Sequence, residues 1–301
     1  MADDKGPFSK PQPNLTKWQG CKQFLWNSDT KECLGRTGMS WLKITVFYII
    51  FYSCLAAFWT VMLIIFYQTL SSSEPRWQLD SSRIGSSPGL GFRPRPPEAN
   101  IDSTLIWFNA DEQETINHWV ENLEEFLKPY KSQRNVSSCS IDQGPGDDKT
   151  CYFSIDKISD KCSKSSSYGY PARTPCVLIK LNRIYNWVPE PYQNASDLPS
   201  GIPEDIKMIY SPDYVWISCV GENAADKDNI GDVEYLPQQG ISVKFFPFKN
   251  QKEYLSPFVF VRFKDIAKNV LVNIECKAWA KNIKYDRGDR LGSVHFELLV
   301  D

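Results

Sequence analysis

Residues 44–67 read ITVFYIIFYSCLAAFWTVMLIIFY, twenty-four residues without a charge. As a helix rising about 1.5 Å per residue the run reaches roughly 36 Å, enough to cross a hydrocarbon core of about 30 Å with some tilt. A helix of a soluble core keeps a polar face at 3.6-residue spacing, and this run has none. It therefore predicts one membrane span at 44–67 and a chain with two sides. The flanks set the direction. Lys5, Lys10, Lys17, Lys22, Lys31, Arg36 and Lys43 outnumber Asp3, Asp4, Asp29 and Glu32 before the span, whereas Glu74, Arg76, Asp80 and Arg83 balance after it. The positive-inside bias places residues 1–43 in the cytoplasm and the remainder outside, a single-pass type II arrangement. The apolar run is too long, and too far from Met1, for a cleaved signal peptide.

Tyr48 and Tyr52 lie one helical turn apart inside the span, with Ser53 and Ala57 as a small-xxx-small pair on a nearby face. Polar tips and small residues are useful in lipid where another helix packs on them, so a partner helix is expected. Before the span, WNSDTKECLGRTGMSW at 26–41 carries turn residues between aromatic ends and predicts a short structured lead-in. After it, Ser, Pro and Gly crowd residues 71–97 and argue against any regular element; 68–100 reads as an extended stem.

The segment 101–301 is long enough for one domain with its own core. STLIWF at 103–108 predicts a strand. Asp111 and Glu114 resemble a capping box, and Ile116, Trp119, Val120, Leu123, Phe126 and Leu127 form a helical stripe ending before Pro129. Strand candidates follow at 176–182, 214–219, 241–246, 257–263, 270–280 and 293–300. Val270, Val272, Ile274, Cys276 and Ala278 share one face of the fifth, and Val294, Phe296, Leu298 and Val300 one face of the last. Six or seven strands with a single helix predict an antiparallel sandwich.

Nine cysteines sort by compartment. Cys21 and Cys33 fall on the reducing side and Cys54 in the membrane. Cys139, Cys151, Cys162, Cys176, Cys219 and Cys276 fall on the oxidising side and predict three disulfides. Six cysteines allow about 15 pairings, and pairing in chain order is the simplest. Zinc is disfavoured, because paired CxxC spacing is lacking and His118 and His295 are the two histidines of the chain. His118 reads as a boundary residue and His295 as a solvent-side strand residue. Asn135 and Asn194 open glycosylation sequons on the outer side, while the sequon at Asn14 faces the cytoplasm.

Other motifs carry less. Asp148-Lys149-Thr150 lacks any nucleotide-binding context. Asp226-Lys227-Asp228 matches the DxD of type II glycosyltransferases, yet those enzymes need alternating strands and helices. Arg287-Gly288-Asp289 is an adhesion-type RGD, but a hairpin turn needs such a Gly anyway. Charge is balanced, which excludes a nucleic-acid surface. Neither a phosphate loop nor a nucleophile elbow occurs, so catalysis, cofactors and metals are not expected.

WNSDT, LGRTGMSW, FYIIFY, SPGLGFRP, FLKPY, PCVLIKLNRI, YLPQQGISVKFFPFKNQ and LGSVHFEL, in that order with six outer cysteines, give a chain that nearly end to end resembles the beta-subunit family of the sodium/potassium and proton/potassium pumps. The resemblance implies an immunoglobulin-like sandwich with an added helix, and disulfides Cys139–Cys151, Cys162–Cys176 and Cys219–Cys276. It implies a non-catalytic subunit that escorts the alpha subunit of a P-type ATPase to the plasma membrane and modulates potassium affinity, with room for a small single-span regulatory subunit beside the bilayer. Tyr48 and Tyr52 match the family's span tyrosines that pack on an alpha-subunit helix. Phe245, Phe246 and Phe248 match the aromatic cluster YFPYYGK that meets its outer loops, with Phe for the leading Tyr and Lys249-Asn250-Gln251 in place of YGK. The sodium/potassium pump is the first reading. A proton/potassium pump subunit, an adhesion ectodomain and a DxD glycosyltransferase are the alternatives.

Overall fold

A computed structural model describes residues 17–28, 30–100, 102–132, 139, 150–156, 158–286 and 288–301. They form two compact units, 1–71 and 72–301.

In the first unit, helix α1 (Lys17–Leu25) leads into three two-residue strands, β1 (Trp26–Asn27), β2 (Glu32–Cys33) and β3 (Arg36–Thr37), paired in sequence order. Helix α2 (Gly38–Gln68) follows, with no buried residue and with length and apolarity enough to cross a membrane. The Trp41 indole donates to the Cys33 carbonyl at 2.9 Å and pins the lead-in to the first turns of α2.

The second unit is a β-sandwich. One sheet orders β4 (Leu90–Arg93), β6 (Cys176–Leu181), β10 (Phe258–Phe263) and β8 (Val233–Leu236). The other orders β5 (Leu105–Phe108), β12 (Ser293–Val300), β11 (Val272–Trp279), β7 (Tyr214–Gly221) and β9 (Gly240–Ser242). All pairs are antiparallel except β12 with β5. The alternation in β11 and β12 is realised: Val272, Ile274, Cys276, Phe296 and Leu298 are fully buried. Phe296 stacks on Phe92 at 5.2 Å and meets Phe263 at 6.2 Å, joining the two sheets.

Both sheets are also covered outside. Helix α3 (Gln113–Lys131) and the cystine turns lie over the four-stranded sheet, where Phe258 meets Phe126, Tyr130 and Phe153. The short helix α4 (Glu204–Ile209) buries Ile206 with Ile202, Trp216 and Trp279. A third short helix, α5 (Ala224–Asn229), is capped by Asn223. The cystines are Cys139–Cys151, Cys162–Cys176 and Cys219–Cys276, the last bridging facing residues of β7 and β11.

Several expectations from sequence are corrected. Residues 71–97 do hold a regular element: β4 pairs with β6, because Leu90 and Phe92 alternate into the core between flanking prolines. Helix α3 runs past Pro129 to Lys131. A proline in the last turn removes one hydrogen bond there, while Tyr130 is buried and donates to the Ser256 carbonyl at 2.7 Å. The capping box does not form. Asp111 is taken by Arg173 at 2.7 Å, and Thr115 instead bonds the Asn109 amide at 3.0 Å and the Glu112 carbonyl at 2.8 Å. The 241–246 run is a strand only to Ser242 and then a 3-10 turn. Val270 lies outside β11 and is exposed.

Glu234 on β8 joins the second cystine loop to the sheet, accepting from Lys161 at 3.0 Å and from Arg262 at 3.0 Å. The Lys161 bond holds its carboxyl below the usual range; burial opposes this and Arg262 supports it. A lowered folded value contributes stability above the unfolded value of about 4.3 that is lost as pH falls through the folded one. Glu234→Gln is expected to cost about 1 kcal/mol at neutral pH and to flatten the loss of stability between about pH 5 and pH 3. Urea midpoints measured across that range check it; parallel slopes for the two proteins would contradict it.

Candidate partner-binding surface

Two surfaces, one in each unit, gather aromatic side chains, exposed on α2 and half-buried on the sandwich. On α2, Tyr48 and Tyr52 stack at 5.8 Å between ring centroids, beside a second stacked pair, Phe47 and Phe51, at 6.2 Å. Helical spacing makes this a ridge. Thr45, Ser53 and Ala56 lie beside the tyrosines and, with Trp41, line a shallow groove along the helix. Ser53 of the small-xxx-small pair lies on this groove and Ala57 does not line it. Hydroxyls at mid-helix need an acceptor in lipid, and small residues let a second backbone approach.

In the sandwich, the aromatic surface is built by the loop after β9. Phe246 meets Trp187 edge-on at 5.4 Å; Phe248 meets Tyr254 at 4.9 Å and Tyr185 at 6.4 Å. The Arg183 guanidinium lies 5.3 Å from the Phe248 ring and 5.1 Å from that of Tyr254. Arg183 is itself fixed by hydrogen bonds to Ser256 Oγ at 2.8 Å and the Tyr254 carbonyl at 3.2 Å. The Asn186 amide donates to the Phe248 carbonyl at 2.8 Å, and Gln251 Nε2 to the Pro247 carbonyl at 3.1 Å, so the loop is held from both sides. Burial pushes the Tyr254 hydroxyl up to about 12, with Arg183 pulling the other way, so it stays protonated. Phe246 and Phe248 are half-buried. Phe245 is different: it is buried against Phe153 at 5.6 Å, with the Lys244 ammonium over its ring, and serves the core.

The sandwich surface brings together rings and a cation. Among the described residues no three His, Cys, Asp or Glu side chains cluster to hold a metal.

The family profile described as sodium / potassium ATPase beta chain matches residues 11–296. Sodium/potassium-transporting ATPase subunit beta-2 of Drosophila melanogaster is 41% identical, covering 98% of this chain and 95% of the relative. Subunit beta-1 of the same organism is 37% identical over 99% and 97%, and subunit beta-1 of Tetronarce californica 32% over 94% and 95%. The chain belongs to the sodium/potassium ATPase beta-chain family.

As a member of that family it is a single-pass protein with a β-sandwich ectodomain, an accessory chain of the pump. Arg183, Tyr185, Trp187 and Tyr254 complete the aromatic surface and were not singled out from sequence. The signal was present as RIYNW at 183–187, an aromatic pair straight after a strand. Asn194 is exposed in a turn whose carbonyl accepts from the Asp197 amide at 3.1 Å; Asn135 and Arg287 lie outside the described residues. Asp226 of the DxD triplet is buried and bonds the Asn223 and Asn273 amides at 3.4 and 3.1 Å, leaving it occupied as a cap. His295 is more than a solvent-side residue: Nδ1 bonds Glu222 and Nε2 lies 3.7 Å from Glu297. His118 Nε2 contacts the Arg95 carbonyl at 3.0 Å.

Proposed function

We propose that this beta subunit is a non-catalytic partner of the pump's catalytic alpha subunit. It assists the folding and plasma-membrane delivery of that subunit and modulates potassium affinity, with residues 1–43 cytoplasmic and the sandwich outside. The observation that carries the reading is the tyrosine ridge on α2, where Tyr48 and Tyr52 are exposed on a helix with no buried residue. A helix that only anchored would not need hydroxyls and small residues along one stripe. Tyr48 and Tyr52 meet an alpha-subunit helix, and Phe246 and Phe248, with the cation over Phe248, meet its outer loops. Phe245 is left to the core. Asn135 and Asn194 carry glycans. Potassium affinity shifts because the subunit binds the potassium-loaded state better than the free one, the sole way a partner moves such an equilibrium.

Mild-detergent affinity purification from native membranes tests this. A stoichiometric catalytic chain with ouabain-sensitive, sodium- and potassium-dependent ATP hydrolysis is expected. Hydrolysis stimulated by potassium without sodium would move the partner to a proton pump, and recovery of the chain alone would end the reading. A glycosidase-sensitive mass at Asn194 checks the outward orientation. Tyr48→Leu with Tyr52→Leu keeps the span apolar and removes both hydroxyls. It is expected to weaken association by about 1–2 kcal/mol, roughly ten-fold lower retention of the alpha subunit in detergent. Unchanged retention would remove the ridge from the interface.

A further inference from the structure

Bordering the aromatic surface, with which it shares Arg183, the sandwich holds a cleft of about 660 Å³. The volume falls in the range of about 300–1,000 Å³ that small-ligand sites occupy. Its walls come from four separate stretches of chain: the segment before β4, the segment before β5, the residues after β6, and the hairpin leading into β12. These stretches place Arg95, Arg183 and Arg290 around one space, with Asp102, Asp289 and Asn182 among them.

The walls are built before any ligand arrives. Ser87 Oγ accepts from the Lys284 amide at 2.8 Å, the Gly292 amide donates to the Pro88 carbonyl at 3.1 Å, and the Asn182 amide to the Gly89 carbonyl at 2.9 Å. A Cβ on Gly89 would lie 2.8 Å from the Arg290 carbonyl, so only glycine lets the hairpin close onto this wall. Asn182 Nδ2 is fixed on the Leu90 carbonyl at 3.3 Å.

Among the described residues, Arg95, Arg183 and Arg290 form no ion pair with any carboxylate, Asp102 and Asp289 included. Arg93 and Lys180 stand at the margin over the Phe126 ring, at 5.6 and 5.9 Å. Burial lowers the Lys180 ammonium, and Arg183, Arg93 and Arg95 lower it further, which reports a shared positive potential. Exposed guanidinium groups that make no ion pair, as here on the walls of one cleft, bind sulfate or carboxylate oxygens in pairs. Asp102, Asp289 and Asn182 supply what sugar hydroxyls need, acceptors and an amide, which an acidic peptide without hydroxyls leaves unused.

We propose that this cleft binds an anionic saccharide, with its sulfate or carboxylate groups against Arg95, Arg183 and Arg290 and its hydroxyls toward Asp102, Asp289 and Asn182. A saccharide of the cell exterior meets the cleft only if the sandwich faces outward, so its biological use rests on the orientation proposed above. Binding by the purified chain does not.

The test uses the full chain in detergent with a fully sulfated heparin octasaccharide, measured by thermophoresis at several salt concentrations. Saturable binding is expected, at least ten-fold weaker for a desulfated octasaccharide and for an octaglutamate peptide. Arg95→Gln with Arg290→Gln should weaken it at least ten-fold and make its salt dependence shallower. Arg183 is spared because it also supports Tyr254. Lys227→Gln with Lys281→Gln, an equal charge loss elsewhere, should leave binding within two-fold. Equal loss in both double variants, equal binding of the peptide, or no binding would each overturn the proposal. An unchanged urea midpoint shows that a variant is folded; if Arg95→Gln with Arg290→Gln shifts it, Arg95→Lys with Arg290→Lys, which keeps the charge but loses the paired donors, must still bind several-fold more weakly. Sensitivity of Asn194 to glycosidase decides the orientation separately.

Discussion

Replacing Cys219 and Cys276 together by alanine is expected to lower the stability of the sandwich by about 4 kcal/mol, the chain-entropy value for a loop of the 57 residues they enclose. For a unit of this size that is on the order of 10 °C in unfolding midpoint. The cystine joins facing residues of β7 and β11 at the centre of the five-stranded sheet, where both cysteines are buried. The native sheet hydrogen bonds survive its loss, so the cost falls mainly on the unfolded chain, which regains the freedom of a long loop. Thermal unfolding of the two full chains followed by tryptophan fluorescence checks the value. Removing Cys162–Cys176, which closes a loop of 14, should cost about 1 kcal/mol less. Equal midpoints for all three proteins would place the stability elsewhere. If the sandwich favours the potassium-loaded state as proposed, reduction of these bonds also lowers the pump's potassium affinity; a constant affinity over an unfolded sandwich would refute that mechanism.

The second large effect is expected at Phe296. Its ring is fully buried and sits between Phe92 of one sheet and Phe263 of the same opposing sheet, so Phe296→Ala opens a cavity that neither rigid sheet can close. A loss of about 3–5 kcal/mol follows. Phe296→Leu keeps most of the volume and should lose about 1.5 kcal/mol or less. Urea unfolding separates the outcomes: the midpoint falls steeply for alanine and slightly for leucine with an unchanged slope. A small shift for alanine would mean that the sheets collapse onto the gap.

What could be read from sequence followed from how much each signal repeats. The apolar run at 44–67 and the alternation of β11 and β12 rest on many residues that agree; the run lies within the longer helix α2, and the alternation stands in the structure. β4 was hidden because two of its neighbours are prolines and its outward positions are Gly91 and Arg93, leaving only Leu90 and Phe92 to show a period. Helices α4 and α5, of six residues each, are too short to show a stripe and are held by packing on the sheet and by the Asn223 cap. Phe245 and Phe248 look equivalent in sequence; a 3-10 turn between Val243 and Phe245 sends the first ring inward, and no residue pattern announces that turn. The arginines of the cleft come from stretches nearly two hundred positions apart and meet only through β4.

The parallel contact of β5 with β12 also sets a timetable. Trp107 of β5 and Asp301 just after β12 share a hydrogen bond across 194 positions. At about 5–20 residues per second of synthesis, β5 waits roughly 10–40 s for the strand that pairs with it. During that interval the five-stranded sheet has an open seam where its second strand belongs, and the half-made sandwich is a client for whatever holds nascent chains. The last strand to be made is the one that ends this dependence.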